Sequence, residues 1–158
     1  MKTKNSQGFT LLEVLIALVI FSFGLLALAA LMAKGLQYNT SALHRSYASS
    51  QAYDMADRMR ANRLALESPF YYQDINPPAG DPPSCLCNEA CDCGTEAMAT
   101  FDGWEWNSMN AAVLPSGSGK VAKSGTTYTI TLNWDDNRDG KTDECPSEPG
   151  CFIFELQP

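Results

Sequence analysis

A long apolar segment near the N-terminus is the feature that most restricts how this chain can fold. Between residues 14 and 33 only Ser22 and Gly24 are not apolar. A helix over residues 9–33 would be about 37 Å long, enough to cross a hydrocarbon core of about 30 Å with some tilt. The rest of the chain becomes polar and rich in Gly and Pro after residue 66. The sequence therefore predicts one membrane-spanning helix followed by a head in water.

Glu13 lies inside this apolar segment and separates it from an ordinary secretory signal. A carboxylate within a bilayer costs roughly 2.5–3.5 kcal/mol or more, which a disposable signal has no reason to bear. Residues 27–29 do offer an A-x-A cleavage site, but the apolar part of a signal is only about 7–15 residues long. Lys2 and Lys4 precede the segment, so the positive-inside rule predicts a cytoplasmic N-terminus.

The letters G-F-T-L-L-E at residues 8–13 resemble the N-terminal signal of type IV pilins and pseudopilins. The resemblance implies that a prepilin peptidase cuts between Gly8 and Phe9 and methylates the new N-terminus. Glu13 then becomes the fifth residue of the mature chain and can pair with the α-ammonium group of a neighbouring subunit, an interaction that is strong in a low dielectric. The alternative is a Glu13 that reaches the interface or stays protonated.

The helix is expected to continue beyond the membrane to about Leu66, because apolar residues recur with a period near 3.6 and no proline precedes Pro69. Four regions follow: a removed leader (1–8), a transmembrane and assembly helix (9–33), a helical spine (34–66) and a globular head (67–158). His44 stands among polar residues and is expected to face solvent. The recurring residues are Ala48, Ala52, Met55, Met59 and Leu66.

The head is predicted to be α+β, with a small antiparallel sheet packed on the long helix. Residues 126–134 alternate between apolar and polar side chains, which is typical of a half-buried strand. Residues 119–123 and 151–157 supply two further strands. A short helix is expected over residues 94–113, with Thr95 as its N-cap and an interruption at Gly103.

Three further segments resemble minor pilins of the PilV type: residues 52–63, residues 106–121 and residues 129–134. This resemblance implies a minor pilin that helps to initiate pilus assembly and lies near the fibre tip. The implied partners are prepilin peptidase, the major and other minor pilins, the assembly platform and a tip adhesin. The precursor would sit in the inner membrane with its head in the periplasm, and the mature chain in the extracellular pilus. A type II secretion pseudopilin and an adhesin-like binding module remain alternatives.

Six cysteines, an even number, all follow the membrane segment and favour disulfides in an exported head. The first expected pair flanks the P-S-E-P-G turn, and it would correspond to the C-terminal disulfide loop of many pilins. The other four form a C-x-C-x-x-x-C-x-C cluster, expected to make two local disulfides, with zinc binding as the alternative. The first pair is Cys145 and Cys151, and the cluster is Cys85, Cys87, Cys91 and Cys93.

An acidic loop after the second strand resembles the first part of a calcium-binding loop. It departs from the full motif because Pro146 stands where a bidentate Glu is expected. The alternative is a solvated polar turn, since Asp, Asn and Gly are also turn residues. The candidate calcium ligands are Asp135, Asn137, Asp139, Lys141 and Asp143.

The charge and residue types exclude two other classes of function. The formal net charge is −7, and most acids follow residue 66, so binding to nucleic-acid phosphates is not expected. The sequence shows no nucleophile–base pair, Gly-rich phosphate loop or HExxH motif. No enzymatic activity and no certain cofactor are therefore predicted.

Overall fold

The computed structural model describes residue 8 and residues 10–67, 82–84, 86–87, 91 and 93–157. The chain divides into two compact units, residues 1–40 and residues 41–158. In chain order the elements are helices α1 (Leu11–Ala61), α2 (Arg63–Glu67) and α3 (Thr95–Val113), followed by strands β1 (Ser118–Ser124), β2 (Thr127–Asn133) and β3 (Cys151–Leu156).

In the first unit, α1 exposes its apolar side chains. Of the residues described, this is the one helix long and apolar enough to cross a membrane. Its hydroxyl groups bond within the helix: Ser22 Oγ donates to the Leu18 carbonyl at 2.8 Å. A polar side chain satisfied in this way can be tolerated where water is absent.

In the second unit, three antiparallel strands form a sheet in the order β1-β2-β3. Ile130 of β2 lies opposite Val121 of β1 and Phe154 of β3. The alternation in β2 is confirmed, because the side chains on its apolar face are buried and continue into the buried Trp134. Gly125, with φ +61°, lies in the turn between β1 and β2.

The core of the head lies between one face of α1, helix α3 and the sheet. The apolar residues that α1 contributes to this core are alanines and two methionines, whose flexible side chains can fill irregular gaps. The buried apolar residues of α1 are Ala48, Ala52, Met55, Ala56 and Met59. The predicted α+β fold, a long helix packed against a small antiparallel sheet, is confirmed.

Trp106 joins the layers of this core. Its side chain is fully buried, and its Nε1–H donates to the Gln51 carbonyl of α1 at 2.8 Å. A Cβ at Gly119 would collide with the Trp106 ring, so β1 can approach α3 only because residue 119 is glycine. The Gly119 amide donates to Asn107 Oδ1 at 2.7 Å. Together these contacts hold β1 against α3.

Three details of the helices differ from the sequence prediction. The spine is not continuous to Leu66, because Asn62 forms a turn between α1 and α2 and its Nδ2 donates to the Thr95 carbonyl at 2.9 Å. Gly103 does not interrupt α3 but is buried within it. The N-cap of α3 is Gly94, with Thr95 as the first helical residue.

His44 was also wrongly predicted, since it is buried at 8% exposure rather than facing solvent. It precedes Ala48 by four residues, so both lie on the face of α1 that packs into the head. Its Nδ1 lies 3.6 Å from Asp136 Oδ1.

Candidate processing and assembly site

The N-terminal end of α1 is fixed by Thr10. Its Oγ1 accepts a hydrogen bond from the Glu13 amide at 3.3 Å. Its carbonyl accepts from the amides of Glu13 at 3.1 Å and Val14 at 3.3 Å. Thr10 is thus the N-cap residue, a position that threonine favours. Thr10 and Gly8 both lie outside the helix, whereas Phe9 falls outside the described residues.

Gly8 is exposed, and a Cβ at this position would meet no atom within 4 Å. The fold of the described chain therefore gives no reason for glycine here. A requirement for a small residue at position 8 would have to come from another protein, such as an enzyme that binds this segment.

Glu13 lies in the first turn of α1, where an acid is favoured by the helix dipole. Its side chain is exposed among apolar neighbours. Within the described part of the chain its carboxylate forms no ion pair and accepts no hydrogen bond. The described part of the chain thus contains an acid in an apolar segment and no counter-charge for it.

In the head, Asp136 ties the loop after β2 to α1. Its carboxylate accepts from Ser41 Oγ at 2.7 Å and from Trp134 Nε1 at 3.0 Å. Burial raises the pKa of Asp136, but these two hydrogen bonds and His44 outweigh burial and hold the pKa below its ordinary value of 3.8. The loop is therefore held at the start of the head.

Arg58 forms the main ionic contact between α1 and α3. It reaches Asp54 at 2.9 Å, Asp102 at 3.1 Å and Glu105 at 2.6 Å. Burial alone would lower the pKa of Arg58, but the hydrogen bonds that its guanidinium donates to Glu105 and the other two carboxylates raise the pKa above its ordinary value. The guanidinium thus remains charged and holds α3 on the spine.

Comparison with protein families gives two adjacent matches. Residues 3–29 match the prokaryotic N-terminal methylation motif, and residues 30–104 match the family described as type IV pilin Tt1218. The chain is similar to type IV pilins. The matched family is structural rather than enzymatic, and the match does not extend to the PilV subtype. Comparison with curated proteins and with solved structures gave no match.

The methylation motif covers Gly8, Phe9 and Glu13, the predicted processing and assembly residues. The structure places Gly8 before the capped start of α1 and Glu13 in its first turn. Sequence reasoning did not identify Thr10 as an N-cap, although the spacing T-x-x-E at residues 10–13 is the signal that would have found it. The apolar helix and the motif together fit a membrane-anchored pilin precursor.

The predicted calcium ligands of this pilin-like chain are engaged with backbone amides. Asp135 accepts from the amides of Asp139 at 3.1 Å and Gly140 at 2.9 Å. Asp143, also buried, accepts from the Gly150 amide at 2.8 Å. In the described ranges no three His, Cys, Asp or Glu side chains are grouped closely enough to hold a metal ion. These contacts are those of a polar turn, and calcium binding stays a prediction.

The remaining three candidates, Asn137, Asp139 and Lys141, are exposed residues of the same loop. Asn137 Oδ1 accepts from the Asp139 amide at 2.9 Å, and the Lys141 amide donates to Asp139 Oδ1 at 2.9 Å. Asp139 thus makes the same type of side-chain-to-backbone contact as Asp135. The loop is ordered by its own short polar side chains.

The C-terminal disulfide joins Cys145 to Cys151, whose Cα atoms lie 5.3 Å apart. This is the pair that the sequence placed first. Cys151 begins β3 opposite Asn133, so the bond closes the acidic loop onto the end of the sheet.

The Cys-rich segment also contains disulfides rather than thiols. Cys87 is bonded to Cys93 with Cα atoms 5.5 Å apart. Cys91 is disulfide-bonded as well, and no free cysteine occurs among the described residues, which do not include Cys85. Sulfurs in disulfides are not the thiolate ligands that zinc requires, so the structure gives no support to the zinc alternative.

Proposed function

We propose that this chain is a minor pilin subunit of a type IV pilus, cut by a prepilin peptidase between Gly8 and Phe9. The observation that carries the proposal is the carboxylate of Glu13, which has no partner among the described residues. It lies at the start of a membrane-length helix, within a match to the N-terminal methylation motif. After cutting, the chain would leave the inner membrane and enter the fibre, where it helps to initiate assembly near the tip.

The proposed assembly step follows from electrostatics in an apolar medium. Cutting creates an α-ammonium group on Phe9, and Glu13 of an adjacent subunit supplies its counter-charge. An ion pair in a low dielectric is strong, whereas either charge alone is costly to bury. The exposed apolar side chains of α1 exchange lipid for the helices of other subunits at the same time. Pairing would therefore fix the axial position of each subunit.

The minor-pilin assignment is supported by the resemblance of residues 52–63 and 106–121 to PilV-type proteins. Its partners would be the major pilin, other minor pilins, the assembly platform and a tip adhesin. A pseudopilin of a type II secretion system is the second candidate, supported by the same processing motif. Pili sheared from cells separate the two, because a minor pilin appears in that fraction and a pseudopilin does not.

The decisive experiment replaces Glu13 by Gln, which keeps the shape of the side chain and removes its charge, with Glu13→Asp as the charged control. The uncharged variant should still insert and be cut after Gly8, because neither step uses the ion pair. Its amount in sheared pili should fall at least about tenfold, the factor for each 1.4 kcal/mol of lost interaction. Quantitative mass spectrometry of precursor, mature chain and sheared pili measures all three quantities.

Two results would contradict the proposal. If Glu13→Gln enters pili at the wild-type level, the ion-pair account of assembly is wrong. If the wild-type chain is recovered starting at Ala30 rather than Phe9, the segment is an ordinary signal and the pilin assignment fails.

A further inference from the structure

A cleft of about 330 Å³ lies on the outer face of the sheet, where the start of β1 and the end of β2 meet the C-terminal loop. Exposed and buried residues alternate along both strands, so every second side chain points away from the core and towards this cleft. Small-molecule sites in proteins measure about 300–1,000 Å³, so this cleft has room for a small ligand. Its lining includes Ser118, Lys120, Thr131, Asn133, Glu144 and Cys145.

The backbone around the cleft is fixed by contacts that do not involve a ligand. Asn133 Nδ2 donates to the Asp143 carbonyl at 2.9 Å, which ties the loop to the end of β2. The disulfide between Cys145 and Cys151 closes the same loop onto β3. Glu144 lies between these two attachments. A site whose backbone is held in advance loses less conformational freedom when a ligand binds.

Four polar groups face the cleft without a partner in the described part of the chain. They are the hydroxyls of Ser118 and Thr131, the ammonium group of Lys120 and the carboxylate of Glu144. The two opposite charges line one cleft but are not paired with each other. A simple anion would be repelled by Glu144 and a simple cation by Lys120, whereas a molecule that carries both charges complements the cleft.

We propose that this cleft binds a small polar amino acid through its free α-amino and α-carboxyl groups. Lys120 holds the carboxylate, Glu144 holds the ammonium group, and the hydroxyls of Ser118 and Thr131 bond the remaining polar atoms. Two exposed ion pairs and two or three hydrogen bonds support a Kd of about 1 mM. The site uses none of the residues of the N-terminal motif, so the proposal is independent of the proposed role in a pilus.

The test is an NMR titration of the full chain in detergent micelles with L-serine at constant ionic strength. Two probes serve as matched controls: glycerate lacks the ammonium group, ethanolamine lacks the carboxylate, and both keep a hydroxyl. Serine should shift the amide signals of Lys120, Thr131 and Glu144 in a saturable way. Glycerate and ethanolamine should bind at least about fivefold more weakly, because each loses one ion pair.

Variants of the two charged residues test the assignment of roles. Lys120→Met and Glu144→Gln should each raise the Kd for serine about fivefold, the upper range for one exposed ion pair. Glu155→Gln makes the same change in net charge on the same face of the sheet but outside the cleft, and should leave the Kd unchanged. Lys34→Met is the corresponding control for the lysine. All four residues are exposed, and unchanged amide signals of the core show that each variant is folded.

Four outcomes overturn the proposal. The first is the absence of any saturable shift with serine at concentrations well above the expected Kd. The second is binding of glycerate or ethanolamine as tightly as serine, since the ligand would then need only one charge. The third is an unchanged Kd in Lys120→Met and Glu144→Gln. The fourth is an equal loss in Glu155→Gln, which would show an effect of net charge alone. None of these results bears on processing or assembly.

Discussion

Replacing Arg58 by Met should weaken the attachment of α3 to α1. The arginine side chain is 24% exposed and contacts three carboxylates, one on its own helix and two on α3. Methionine keeps most of the aliphatic stem and removes the charge, so the change tests the ionic contact rather than packing. The partners left behind are Asp54, Asp102 and Glu105.

The expected loss follows from how far each partner is open to water. The side chains of Asp54 and Glu105 are 46% and 39% exposed, so each pair contributes about 0–1 kcal/mol. Asp102 is 10% exposed, and breaking a fully buried pair costs about 3–5 kcal/mol. Partial exposure of Arg58 and a further contact of Asp102 reduce that figure. We expect a loss of about 2–3 kcal/mol, or about 10 °C in the melting temperature of the head.

Unfolding of the full chain in detergent micelles can be followed by tryptophan fluorescence, which reports on the head alone. Arg60→Met is the matched control, because Arg60 is 51% exposed and, within the described part of the chain, pairs only with Asp57, which is 75% exposed. Its loss should stay below about 0.5 kcal/mol. Equal losses for the two variants would refute a special role for Arg58. The three tryptophans are Trp104, Trp106 and Trp134.

Two further predictions concern the loop after β2. Asp136→Asn should lower the stability of the head at pH 7 by about 1 kcal/mol. Because folding lowers the pKa of Asp136, the carboxylate stabilises the head fully above pH 3.8, and this stabilisation is lost as the pH falls through the pKa of the folded state. The stability of the variant should therefore approach that of wild type at acid pH. An equal loss of stability at pH 7 and at pH 3 would contradict this prediction. If the loop binds calcium, the full chain should melt several degrees higher in millimolar calcium than in chelator, since a hundredfold excess over Kd stabilises by about 2.7 kcal/mol. Asp139→Ala should abolish the difference, and identical melting curves for wild type would leave only a polar turn.

The parts of the fold that the sequence predicted are those in which a local pattern and the final packing agree. In β2 every second residue is apolar, and a sheet with one buried face places its apolar side chains on that face. The sequence therefore predicted both the strand and which of its faces is buried. The membrane-length helix was also predictable, because a single apolar segment in lipid can make all its backbone hydrogen bonds internally only as a helix. The C-terminal disulfide could be anticipated because a short turn separates its two cysteines.

The details that sequence could not supply depend on contacts between distant segments. Glycine weakens a helix in isolation, but Gly103 is buried within α3, and tertiary packing of a helix can override such a propensity. Asn62 breaks the spine because its amide reaches the Thr95 carbonyl, which is distant in sequence. Neither contact leaves a local signal in the amino-acid order.

His44 illustrates the same limit at a polar residue. Arg45 and Ser46 follow His44 in sequence, yet it shares a helical face with Ala48 and Ala52, which pack into the core. Burial of the imidazole depends on the loop after β2, which brings Asp136 to within 3.6 Å of its Nδ1. Had the helical periodicity been counted from His44 instead of Ala48, His44 would have been placed on the buried face. The acid that faces its side chain comes from the loop after β2, which is distant in sequence. The polarity of nearby residues therefore gave the wrong prediction for His44, because its position on the helix and an acid distant in sequence determine its environment.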